Sequence, residues 1–207
     1  MQPVLLVATG AAALANWWSR WRDLDRVEAW SKPLTTILVI GLALVSGAPT
    51  HQLIVAVIAL ALCLAGDVAL MPLVDEFVAG LAAFLLGHLV FIVLFAQYGM
   101  HHLGLAAIAF VLVLTLAATA GRRIVRGAAE SDAALRVPVL AYLTVISAMA
   151  VCGWATGNGW VIVGTALFVL SDSLLGWRQF VREHSWMAVA VMATYHGAIA
   201  SLALSLW

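Results

Sequence analysis

The stretch FVAGLAAFLLGHLVFIVLFAQY, residues 77–98, decides the fold, because it runs through 22 residues without an Asp, Glu, Lys or Arg. A helix crosses the hydrocarbon core of a bilayer with about 20 mostly apolar residues at about 1.5 Å each, and this run supplies them. Working outward, seven more stretches are mostly apolar: residues 3–18, 33–45, 51–71, 103–120, 137–155, 160–175 and 185–207, the first two short enough to borrow a turn from their flanks. The expected fold is all-α, a polytopic membrane protein of eight transmembrane helices forming a single domain over residues 1–207. A content of 65% hydrophobic and 10% charged residues, with mean hydropathy +1.08, excludes a water-soluble chain. Ten Lys+Arg balance ten Asp+Glu, so no basic surface is left for nucleic acid. Cys63 and Cys152 both sit inside apolar runs, where free cysteine behaves as a small hydrophobe.

The links between spans are short. Gly47-Ala48-Pro49, Met71-Pro72, Gly99 through His102 and Gly157-Asn158-Gly159 punctuate the chain, and none is long enough to hold a soluble domain. The first span contains Ala13-Leu14-Ala15, which looks like a signal-peptidase site. Nothing basic precedes the apolar run, so the span is expected to remain as a helix.

Charge sets the expected orientation. Arg20, Arg22, Arg26 and Lys32 fall in the first loop, Arg122, Arg123, Arg126 and Arg136 in the fifth, and Arg178 and Arg182 in the seventh. All ten basic residues thus occupy odd-numbered loops, which the positive-inside rule makes cytoplasmic. Both termini are then outside, in a multi-pass protein of the cell (inner) membrane. The nine tryptophans fall at or near span ends, as an interfacial aromatic belt requires.

The two halves, residues 1–102 and 103–207, share a weak pattern. Pro33 and Pro138, read as the openers of spans two and six, each lie 34 residues before an aspartate, Asp67 and Asp172. His88 in span four and His196 in span eight complete the order Pro, Asp, His. A four-plus-four arrangement of this kind relates its halves by an axis along the membrane normal.

Eight of the ten acids are read as loop or helix-end residues, leaving Asp67 and Asp172 inside spans. A carboxylate near the bilayer centre costs about 2.5–3.5 kcal/mol on insertion scales, so it marks a partner or a cavity. Each is read as lying about one turn, roughly 5 Å, inside the cytoplasmic end of its span. Lys32, at the mouth of span two, and Tyr142 can reach that level; snorkelling for the lysine and packing for the tyrosine are the plain alternatives. His88 and His196 lie near the midplane, where hydrogen bonding between helices is the commoner role. Ser171 is read as a hydrogen-bond partner of Asp172, since no base in its segment activates it. No closely spaced ligand pair supports a metal, and no cofactor is expected. Gly66, Gly80, Gly87, Gly164 and Gly197 are expected to let helices approach closely.

Lys32-Pro33, Gly66-Asp67 with Leu70-Met71, Phe77 with Gly80, Phe84-Leu85-Leu86-Gly87-His88, and Gly164 through Phe168 with Ser171-Asp172 together resemble the lysoplasmalogenases, the YhhN-like membrane proteins. The resemblance runs from about Lys32 to Tyr195. It implies an eight-helix hydrolase that cleaves the vinyl-ether bond of a lysoplasmalogen to a fatty aldehyde and glycerophosphoethanolamine or glycerophosphocholine. By resemblance the family's two aspartates fall on Asp67 and Asp172, its Lys-Pro on Lys32-Pro33 and its Gly-His on Gly87-His88. The chain departs from the family near its end, where Thr194-Tyr195 is followed by His196 and Ile199 stands in the place of a glutamine.

The expected site is therefore catalytic Asp67 and Asp172, with Lys32, Tyr142, His88, Ser171, Tyr195 and His196 binding substrate. The expected partners are a lysophospholipid, water and the surrounding membrane lipids. Vinyl-ether hydrolysis protonates the β-carbon, and water captures the resulting oxocarbenium ion. Two carboxylates in a poorly hydrated cavity can hold different protonation states, one donating the proton and one stabilising the cation and activating water, as in glycosidases. Asp172 is read as the acid and Asp67 as the base. Lys32, Arg136 or Arg178 are the candidates to hold the phosphate. Two alternatives remain: a proton-coupled transporter built on the repeat, which broken helices would favour, and a metal-dependent membrane lipid hydrolase.

Overall fold

The computed structural model describes residues 2–71 and 73–207, so Pro72 of the Met71-Pro72 turn lies outside the described residues. The helices are α1 (Gln2–Trp21), α2 (Asp25–Leu44), α3 (Thr50–Ala69), α4 (Phe77–Tyr98), α5 (Leu103–Leu116), α6 (Arg122–Ser131), α7 (Arg136–Ala155), α8 (Gly159–Phe180) and α9 (Met187–Leu204). A π-turn, Ala117–Gly121, joins α5 to α6 without a break, giving one helix of 29 residues. Seven such segments among the described residues are long and apolar enough to cross a membrane. α1 matches them in length, at 20 residues, but carries Gln2, Asn16 and Arg20. The protein is an all-helical polytopic membrane protein.

Burial is arranged for a lipid solvent. Val4, Leu103 and Val137 are 71%, 73% and 72% exposed, while Asn16, Thr36, Asp67 and His88 are wholly buried. Apolar side chains can face hydrocarbon at no cost, so the interior is free to hold polar side chains that bond one another. α9 lies at the centre, packed on α8, α1 and α2, whereas α5 packs mainly on α7 and stands at the periphery. Close approach depends on glycine where the sequence indicated it. A Cβ on Gly66 would stand 2.5 Å from the Phe84 ring of α4, and one on Gly164 would stand 2.8 Å from Leu202 of α9.

Local signals fix the helix ends. Gly157 adopts φ +70°, and the Asn158 side chain accepts from the backbone N–H groups of Trp160 and Val161, so α8 starts on a formed cap. Exposed Trp18, Trp21, Trp30, Trp160, Trp186 and Trp207 stand at or near helix ends, where indole suits the interface.

Three boundaries differ from the sequence reading. α2 begins at Asp25, so Pro33 lies inside the helix instead of opening it, and Lys32 is an interior helical residue. α8 runs to Phe180, which puts Asp172 eight residues, about 12 Å, from the helix end instead of one turn. The fifth span continues to Ser131 as α6, and its 29 residues reach about 44 Å, beyond a hydrocarbon core of about 30 Å. Ile124 and Ala128 of α6 are buried with Val139 of α7, while Gly127 lies so close to α8 that a Cβ would meet the Phe180 carbonyl at 2.0 Å. These contacts hold the extension to the bundle.

Candidate active site

At the end of the bundle that carries the basic residues, a cavity of about 350 Å³ is lined by Arg20, Glu28, Lys32, Asp67, Asp172 and Arg178. α2 builds one wall through a stripe of polar residues. Glu28, Lys32 and Thr36 recur every four residues, so they share one helix face, and all three are buried. Glu28 pairs with Arg20 of α1. The Lys32 ammonium stands 3.6 Å from Asp67 Oδ1.

Asp67, in the last turn of α3, is wholly buried, and its two oxygens are treated differently. Oδ2 accepts from the Thr36 hydroxyl at 2.6 Å and from the Tyr195 hydroxyl of α9 at 2.7 Å. Oδ1 has no hydrogen-bond partner among the described residues. The Thr36 bond stands out against its neighbours. Thr35, Thr144, Ser147 and Ser173 all donate to the carbonyl one turn earlier in their own helix, the usual arrangement for a membrane hydroxyl, but Thr36 donates across to Asp67.

Asp172 of α8 accepts a short hydrogen bond from the Tyr142 hydroxyl of α7. His88 of α4 is wholly buried behind it, with Nε2 3.9 Å from Asp172 Oδ2, beyond direct hydrogen-bond length. Neither ring nitrogen of His88 has a hydrogen-bond partner among the described residues. Phe84, Phe168 and Tyr195 meet edge to face, with centroids 5.7–6.4 Å apart, and His88 lies 4.6 Å from Phe168.

A second, apolar slot of about 40 Å³ joins the cavity. Leu70, Phe77, Phe84, Asp172 and Leu175 line both spaces, while Tyr142, Leu143 and Phe180 line the slot and not the cavity. Asp172 therefore stands where a polar chamber meets a hydrocarbon one.

Of the residues expected at the site, Lys32, Asp67, Ser171, Asp172 and Tyr195 line the polar cavity and Tyr142 lines the slot. The Ser171 hydroxyl does not bond Asp172; it donates across to the Val191 carbonyl of α9 at 3.0 Å. Adjacent residues on a helix point about 100° apart, so Ser171 faces α9 when Asp172 faces α7. His196 is turned from the cavity in the same way by its neighbour Tyr195, and its Nδ1 accepts from the Trp17 indole N–H at 3.0 Å. His88 lines neither space and stands behind Asp172. Arg136 lies away from the cavity, on the flank of α7 that faces α5 and α6. The sequence reading missed Thr36, Glu28, Arg20 and Asp75, although the four-residue spacing of Glu28, Lys32 and Thr36 was the available signal. Among the described residues no three His, Cys, Asp or Glu side chains converge as a metal site.

The two aspartates have matching surroundings. Each accepts from the helix that precedes its own, Thr36 of α2 or Tyr142 of α7. Each also faces a residue near the middle of α4 or α9, the partner coming in both cases from the other half of the chain: Tyr195 for Asp67 and His88 for Asp172.

The family model described as the YhhN family matches residues 27–206. Comparison with curated proteins finds no match, and comparison with solved structures finds none either.

Proposed function

The chain belongs to the YhhN family, and from that premise we propose that it is a lysoplasmalogenase, hydrolysing the vinyl-ether bond of a single-chain ether lysophospholipid. The observation that carries the reading is the junction at Asp172. A polar cavity holding a second carboxylate meets an apolar slot there, which suits a lipid whose labile bond lies between a charged head and a hydrocarbon tail. The slot beside Phe77 and Phe84 takes the first carbon or two next to the labile bond, the rest of the tail runs on past it toward lipid, and the head lies toward Arg20 and Arg178.

In the proposed reaction Asp172, which faces no lysine or arginine within ion-pair reach among the described residues, gives its proton to the β-carbon of the C=C bond. The oxocarbenium ion that forms at the ether carbon is balanced by the ionised Asp67, held in that state by two hydroxyl donors and the Lys32 ammonium. Asp67 Oδ1, free of hydrogen-bond partners, takes the proton of the attacking water. The hemiacetal then collapses: Asp67 returns its proton to the departing glycerol oxygen as the hydroxyl proton passes to Asp172, which restores both carboxyls and gives aldehyde and the glycerophospho head. Tyr142 and Tyr195 orient the two carboxyls. His88, wholly buried with Nε2 3.9 Å from Asp172 Oδ2, backs the acid from behind.

Positive-inside charge supports a cytoplasmic position for the basic end, with both termini outside and the cavity facing the inner leaflet. The matching surroundings of Asp67 and Asp172 support halves at 1–102 and 103–207 as a four-plus-four repeat. That same symmetry is what a transporter with two rocking halves would use, so the test separates the two readings. Purified wild-type protein in detergent, with no gradient, is given lysoplasmenyl-ethanolamine. Fatty aldehyde and glycerophosphoethanolamine in equal amounts are expected. No product from folded protein overturns the hydrolase and leaves the transporter.

A further inference from the structure

A groove of about 910 Å³ lies on the membrane-facing flank between the α5–α6 helix and α7. Among the described residues none lines both this groove and the polar cavity, and Leu143 alone lines both the groove and the apolar slot. Along most of its length the wall is hydrocarbon. Its two hydroxyls are engaged within α7, Thr144 donating to the Leu140 carbonyl at 2.9 Å and Ser147 to the Leu143 carbonyl at 2.7 Å. Such a wall has no hydroxyl proton free for water and matches an acyl chain.

At the basic end the chemistry changes. Arg122, Arg126 and Arg136 all line the groove. Arg126 is held by Glu130 at 2.8 Å, whereas Arg122 and Arg136 are exposed with no ion-pair partner among the described residues. Two free guanidiniums at the mouth of a hydrocarbon groove complement a phosphate that carries acyl chains. The depth agrees. The 12 residues from Phe110 to Arg122 span about 18 Å of helix, close to one leaflet of a hydrocarbon core about 30 Å thick.

We propose that this groove is a binding site for a two-chain anionic phospholipid, separate from the catalytic cavity, with the phosphate on Arg122 and Arg136 and the chains lying between α5 and α7. The proposal does not depend on the reaction assigned above. Through Leu143 the bound lipid also forms the outer support of the apolar slot.

The test is native mass spectrometry of delipidated protein given phosphatidylglycerol or phosphatidylcholine, with folding of every variant checked by circular dichroism. Wild type is expected to retain one phosphatidylglycerol with about tenfold or greater preference over phosphatidylcholine. In the Arg122→Gln/Arg136→Gln variant that preference disappears. Ala148→Trp fills the exposed groove and keeps both arginines, and it is expected to lose the retained lipid. Equal retention of the two lipids by wild type overturns the proposal. So does undiminished preference in the double variant, full retention by Ala148→Trp, or a lipid-free dimer showing that a second copy covers the groove.

Discussion

Replacing Lys32 by methionine removes the ammonium that stands 3.6 Å from Asp67 Oδ1 and leaves a wholly buried carboxylate with two hydroxyl donors. Removing one member of a buried ion pair costs about 3–5 kcal/mol, because the other charge stays behind without compensation. The Thr36 and Tyr195 hydroxyls remain on Oδ2, so the lower end, about 3 kcal/mol, is expected. For a chain of this length that corresponds to a Tm lower by about 6–12 °C. Asp67→Asn strands the ammonium instead and is expected to lower Tm by a similar amount. The double variant Lys32→Met/Asp67→Asn buries neither charge and is expected to return to within about 1 kcal/mol of wild type. Thermal unfolding of the four proteins in one detergent measures the coupling, and aldehyde release measures activity, which the double variant does not recover. If the two single losses simply add in the double variant, Lys32 and Asp67 are not a pair, and the lysine is an ordinary snorkelling cation.

Thr36→Val keeps the shape of the side chain and deletes one hydrogen bond to a buried carboxylate, so kcat is expected to fall about 10- to 100-fold and stability by about 1–3 kcal/mol; an unchanged rate would remove Thr36 from the account. Gly66→Ala places a Cβ 2.5 Å from the Phe84 ring, at a wall shared by the cavity and the slot. Overpacking of about 1–3 kcal/mol and a raised KM are expected together, measured by thermal unfolding and steady-state kinetics. Trp17→Phe deletes the indole N–H that binds His196 outside the cavity. It is expected to lower stability by about 1 kcal/mol without altering KM, and a raised KM would place that contact in substrate binding.

The spans that the sequence shows most plainly are those whose helices contain few charges. α4 runs over Phe77–Tyr98 as expected, and α3 and α7 agree to within a residue or two. α2 was cut short because Arg26, Glu28 and Lys32 look like a solvated loop before Pro33. In the fold Glu28 meets Arg20 of α1 and Lys32 meets Asp67 of α3, so the charges are hidden by partners on neighbouring helices. The extension through α6 was lost for a related reason: three arginines in five residues suggest the end of a span, yet Ile124 and Ala128 on the opposite face are buried against the bundle. At the site, the aspartates were legible because a carboxyl in an apolar run is costly. The roles of adjacent pairs were not. Ser171 beside Asp172 and His196 beside Tyr195 each point to a different helix from their neighbour, which only the packing around α8 and α9 decides.

The most direct test of the account compares aldehyde release from lysoplasmenyl-ethanolamine by wild type, Asp67→Asn and Asp172→Asn, all with matched helical content. A carboxamide keeps the volume of each side chain but neither donates the acid proton nor accepts one from water. The account predicts turnover by wild type and loss of about 1,000-fold or more in each variant. Near wild-type turnover in either folded variant would contradict a reaction that depends on both carboxyls.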